Sequence, residues 1–101
     1  MSTQTPKPLT IVATIKAKPE HVDQVKSELL KLTTASQTDQ GCIQYILHQD
    51  NANVTDFIVY EIWESNELLQ PHVQSPHFQN YVKVTEGMVD EFIITEMTAI
   101  S

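Results

Sequence analysis

The sequence predicts an α+β fold, a ferredoxin-like split β-α-β sandwich. Three observations predict it. Four stretches have the alternation or composition of strands, two amphipathic stretches carry helical periodicity, and they follow one another as β-α-β-β-α-β. At 101 residues the chain has the length of one domain with a modest core. Residues 1–8 are polar and proline-broken and read as a loose tail, leaving 9–101 as a single domain.

Leu9 to Lys16 alternates as a first strand, with Leu9, Ile11, Ala13 and Ile15 on one face. Pro19 suits the first position of a helix, and Glu20 and Asp23 fall in the first turn, where the helix dipole favours acids. Val22, Val25, Leu29, Leu32 and Ala35 then form one apolar stripe, and Gly41 marks the stop after a polar stretch. Cys42 to Gln49 is the second strand, turned at Asp50-Asn51-Ala52-Asn53 into a third. That third strand, Phe57 to Trp63, is aromatic or β-branched except for Glu61. Ser65 is a candidate cap for a short helix, and Ser75-Pro76 opens a second, whose face carries Phe78, Tyr81, Val82 and Thr85. Gly87 ends it, and Met88 to Thr98 forms the fourth strand.

The third strand offers apolar residues to both faces, while both helices of this layout lie on one face. The chain has no third layer, so a second copy covering the bare face, a homodimer, is the expectation.

Composition excludes several functions. Thirteen acids against six lysines and no arginine give a net charge of −7, so neither nucleic acid nor an anionic membrane surface is an expected partner. No apolar run approaches the ~20 residues of a membrane span, and the start does not read as a signal peptide. A lone Cys42 forbids an internal disulfide and suits the cytoplasm; it reads as a small buried hydrophobe rather than a nucleophile. With only Gly41 and Gly87, no phosphate-cradling loop exists, and no cofactor is expected.

Candidate chemistry gathers around the third strand. Glu61 is a carboxylate on the Phe57-Val59-Trp63 face, and a buried charge needs a partner or a shifted pKa. It could orient a histidine, or be a structural carboxylate bonded to Tyr45 or Lys16. His72 is the candidate acid/base, since imidazole titrates near neutrality and a helix running back over the sheet could bring it to Glu61 or Trp63. The plainer alternative is a helix-end hydrogen bond. Trp63 could floor an aromatic pocket or simply fill the core, and Tyr45 could donate to a substrate oxygen. His48 falls on the opposite face of Tyr45's strand and drops out. His77, at a helix start, reads as fixing its turn, with substrate contact as the second reading. His21 reads as solvent-facing. A metal site of His72, His77 and Glu61 has suitable ligand types, but the five-residue histidine spacing does not share one helix face, so no metal is expected.

Gly41-Cys42 with Tyr45, then Tyr60-Glu61-Ile62-Trp63-Glu64-Ser65, then His72 and Ser75-Pro76-His77-Phe78, resemble the antibiotic biosynthesis monooxygenase domain over almost all the chain after residue 8. The resemblance implies a dimeric α+β barrel. It also implies one of several chemistries: cofactor-independent oxygenation of quinols and anthrones, isomerisation of a signal metabolite, or haem degradation. The haem branch carries an asparagine on the first strand, a tryptophan on the first short helix and a histidine near the end of the second. The first strand here has no asparagine, His72 stands about where that tryptophan would fall, and Tyr81-Val82 about where that histidine would.

The expected function is therefore cofactor-independent monooxygenation of a small aromatic quinol, anthrone or similar enolisable substrate by O2, with His72 as base supported by Glu61. An isomerase of a small hydroxy-ketone, or a non-enzymatic ligand-binding dimer, are the alternatives.

Overall fold

The computed structural model describes residues 8–101. The expected tail therefore lies, apart from Pro8, outside the described residues. The elements are β1 (Leu9–Ala17), a 3-10 turn (Pro19–His21), α1 (Val22–Ser36), β2 (Cys42–Gln49), β3 (Asp56–Trp63), α2 (Asn66–Val73), α3 (Pro76–Val84) and β4 (Val89–Met97). The four strands form one antiparallel sheet in the order β2-β3-β1-β4. This is the ferredoxin-like α+β fold.

Alternation decides which side chains enter the core. Ile11, Ala13, Ile15 and Ala17 of β1 pack with Phe57, Val59 and Trp63 of β3 and Tyr45 of β2 beneath the helices. Val25, Leu29 and Leu32 of α1 close the layer from above. Fully burying a side chain of this kind contributes roughly 1.5–3 kcal/mol. The α1 stripe runs slightly differently from the periodicity reading. Ser36 and Glu28 are buried, while Val22 and Ala35 are only half covered. Glu28 lies along the stripe's edge, where its carboxylate reaches Lys31 Nζ at 3.0 Å. On the second helical face Tyr81 and Thr85, one turn apart, point inward, whereas Val82 points outward.

Both short helices begin at the serines that cap them. Ser65 Oγ accepts from the Leu68 N–H and Ser75 Oγ from the Phe78 N–H. Ser75 also donates its hydroxyl hydrogen to the His72 carbonyl at 2.6 Å, tying the end of α2 to the start of α3. That link sets the angle between the two helices that carry His72 and His77.

The opposite face of the sheet has no covering layer among the described residues. Ile46, Ile58, Tyr60, Ile93 and Met97 all stand on it, 37–50% exposed. β4 is exposed along nearly its whole length, on both faces.

Candidate active site

Three elements converge on His72. The side chain sits near the end of α2 and is buried against Trp63, Tyr45 and Phe78, with ring centroids 4.8, 5.5 and 5.3 Å away. Its Nδ1 lies 2.8 Å from Asp39 Oδ2. A carboxylate oxygen only accepts, so the hydrogen in this bond is on Nδ1. In the neutral ring the lone pair is then on Nε2, which has no hydrogen-bond partner among the described residues. Burial pushes the His72 pKa below its ordinary value, opposed by the hydrogen bond and charge of Asp39, so the ring is neutral at pH 7.

Asp39 was not singled out in the sequence. It lies in the turn after α1, where its N–H donates to the Ser36 carbonyl at 3.0 Å and its carbonyl accepts from the Cys42 N–H at 3.1 Å. Gly41 completes the turn at φ +84°, a conformation that favours glycine. A Cβ added there would lie 2.5 Å from Leu68 Cβ, so the turn is seated directly on the first turn of α2. The Gly41 carbonyl also accepts from the Glu64 N–H at 2.8 Å. These contacts hold Asp39 against both histidine-bearing helices. His77 Nε2 reaches the same Oδ2 at 2.8 Å.

Below this group an apolar cavity of about 230 Å³ lies between the helices and the sheet. Its polar wall is Tyr45, Glu61, His72 and Tyr81, with Gln70 and Glu96 also contributing. Phe92, Ile94 and Glu96 of exposed β4 belong to its wall as well. Glu61 is 4% exposed, and one of its oxygens accepts from Trp63 Nε1–H at 2.9 Å. Burial raises its pKa to about 7 in spite of that hydrogen bond. Burial, then the neighbouring Glu61 charge, push the Tyr45 phenol far above its ordinary range, so it keeps its proton.

Several sequence expectations need correcting in place. Glu61 does not pair with His72: its partner is the indole two residues on, because alternation puts both on the same strand face, and the carboxylate on His72 is Asp39. Trp63 does not floor the cavity. It is fully buried behind the wall, where His72 covers its ring. His77 does not line the cavity either and stands on the far side of Asp39. Tyr45, Glu61 and His72 do meet in one wall. His48 is on the opposite sheet face, with its Nδ1 against the Ile46 carbonyl. Cys42 is half-buried, and burial with the charges of Glu61 and Asp39 raises its thiol to about 11, so little thiolate exists at neutral pH.

The metal question shifts accordingly. Asp39, His72 and His77, rather than Glu61, bring donor atoms within 4.8 Å of one another. Two imidazole nitrogens and a carboxylate oxygen are ligand types for a divalent cation. Here two N–H groups already satisfy one oxygen, so a cation would have to displace both protons.

Comparison with known proteins agrees with the fold. The chain is 26% identical over 82 residues to sll1783 of Synechocystis, a match covering 81% of this chain and 56% of that longer protein. It is 29% identical over 96 residues to YgiN of Escherichia coli, described as a probable quinol monooxygenase, covering 85% of this chain and 92% of that one. The crystal structure of PA3566 from Pseudomonas aeruginosa superposes with a TM-score of 0.93 at 30% identity, covering 98% of this chain and 100% of that one. No helix among the described residues is long and apolar enough to cross a membrane. The family model for antibiotic biosynthesis monooxygenase matches residues 8–93, and the chain belongs to that family.

Proposed function

We propose that this protein is a cofactor-independent monooxygenase acting on a small aromatic quinol or similar enolisable substrate. The observation that carries the reading is His72: a neutral imidazole, anchored through Nδ1 by Asp39, in the wall of a largely apolar cavity. Nε2 takes the substrate's hydroxyl proton, and the resulting imidazolium is stabilised by Asp39 in the manner of a carboxylate-imidazole pair. The electron-rich anion then reduces dioxygen. One oxygen atom enters the ring and the other leaves as water, so a hydroquinone becomes a hydroxyquinone and supplies all four electrons itself. The protein's part is to position, desolvate and move protons.

A second reading has its own support. Glu61, with its pKa raised to about 7, stands in the same cavity as a neutral base, and such a divergent pair suits oxygen-independent isomerisation of a hydroxy-ketone. A panel of quinols, anthrones and hydroxy-ketones under an oxygen electrode separates the two. Oxygen uptake matching quinol loss supports the first, product without uptake supports the second, and binding without turnover leaves only a ligand-binding protein.

The same proposal includes a cytoplasmic homodimer. Five large apolar side chains on the uncovered sheet face support it, as does the open β4 side of the cavity, which a second copy could close.

A further inference from the structure

Tyr81 of α3 is 1% exposed, yet its phenolic oxygen has no hydrogen-bond partner among the described residues. Thr85 lies near enough to ease its ionisation slightly, but the Thr85 hydroxyl donates instead to the Tyr81 backbone carbonyl at 2.7 Å. Burial is the larger influence and lifts the phenol to about 12, so it keeps its hydrogen at neutral pH. A buried hydroxyl without a partner is destabilising, and native interiors hold few of them. If this residue served packing alone, phenylalanine would fill the same space without that penalty. Tyr81 is also part of the cavity wall.

Aromatic contacts place it away from His72. They run from His72 to Phe78 at 5.3 Å, Phe78 to Phe92 at 6.3 Å and Phe92 to Tyr81 at 5.9 Å. The cavity therefore has a proton acceptor at one end and an unused donor two rings along. No lysine lines it, the chain has no arginine, and Glu61 discourages an anion. Its volume of about 230 Å³ exceeds the ~150 Å³ that holds one benzene, which suits one substituted ring rather than a fused tricycle.

We infer that Tyr81 is a ligand-binding residue whose hydroxyl donates to the second oxygen of an uncharged, single-ring, dioxygenated substrate, the first oxygen meeting His72. This rests on the cavity being the substrate site. It narrows the substrate class to monocyclic quinols and makes Tyr81 the group that selects for the second oxygen.

The test is anaerobic binding, which needs no turnover. Methylhydroquinone and a cresol, identical but for one hydroxyl, are titrated by NMR into wild type and Tyr81→Phe, and both proteins are melted without ligand. Wild type is expected to prefer methylhydroquinone, and Tyr81→Phe to reduce that preference about three- to tenfold, the worth of one hydrogen bond, with cresol affinity unchanged. The ligand-free Tm of the variant should be equal or higher, because an unpaired hydroxyl has been removed. A lower Tm means the hydroxyl has a structural partner and overturns the inference. An unchanged preference in a variant that still binds both ligands overturns it while leaving the cavity as the site. If wild type binds neither compound, the cavity reading fails and the inference with it.

Discussion

Glu61→Gln should make the protein more stable above neutrality and remove a slope from its pH–stability curve. Glutamine has the same shape and still offers an oxygen to Trp63 Nε1–H, so the substitution removes little but the titration. The folded carboxyl is raised from an ordinary 4.5 to about 7, chiefly by burial. A folded group with the higher pKa holds its proton more tightly than the unfolded chain does. Between pH 4.5 and 7 the native state therefore binds more protons, and stability falls as pH rises through that window, then levels off. At 1.36 kcal/mol for each pKa unit, the raised value corresponds to roughly 3 kcal/mol. Urea unfolding of both proteins at pH 4.5, 6 and 8, at one protein concentration, isolates this group, since the other titrating groups are common to both. The variant should gain up to roughly 3 kcal/mol on wild type between pH 4.5 and 8. A difference that stays flat with pH, or moves the other way, would refute the assignment of Glu61 as a buried acid with a raised pKa.

Asp39→Asn should leave ligand affinity unchanged and cut turnover by 10² or more, because an amide can also donate and so admits the wrong imidazole tautomer. Nitrogen NMR of His72 checks this without any substrate: the wild-type ring should carry its hydrogen on Nδ1 and the variant a mixture. Gly41→Ala should destabilise the fold by at least about 1 kcal/mol, from the left-handed backbone and the contact with Leu68, and should loosen the Asp39–His72 bond in the same spectra. Ile58→Glu on the uncovered sheet face should give a monomer by sedimentation where wild type is a dimer; a wild-type monomer at micromolar concentration would contradict the proposed assembly.

The fold was legible because each element carries its own signal. β3 is written in a run of β-branched and aromatic residues, α2 and α3 in Ser65 and Ser75-Pro76, and the α1 end in Gly41. The meeting of Tyr45 with Glu61 follows from alternation, since the two are partners across the β2–β3 ladder. Alternation also held the clue to the Glu61–Trp63 bond, because an indole N–H and a carboxylate two residues apart share a strand face. Asp39 was hidden for a different reason. It is 33 residues from His72 in an unpatterned polar stretch, and only the packing of a turn onto Leu68 brings it near. Likewise, the placement of His77 behind Asp39 depends on the angle between α2 and α3, which no spacing encodes. Alternation put Trp63 on the core face but could not say whether a substrate or His72 would cover its ring.

The central claim is that His72 removes the proton that lets a quinol react with dioxygen. The most direct measurement is oxygen uptake on a monocyclic quinol by chelator-treated wild type and His72→Ala, both shown to be folded and to bind the quinol anaerobically. The account predicts wild-type uptake in proportion to quinol consumed, and a fall of roughly 10²- to 10⁴-fold in kcat for the variant with little change in Kd. Equal rates in the two proteins, or no uptake above the uncatalysed reaction in wild type, would contradict it.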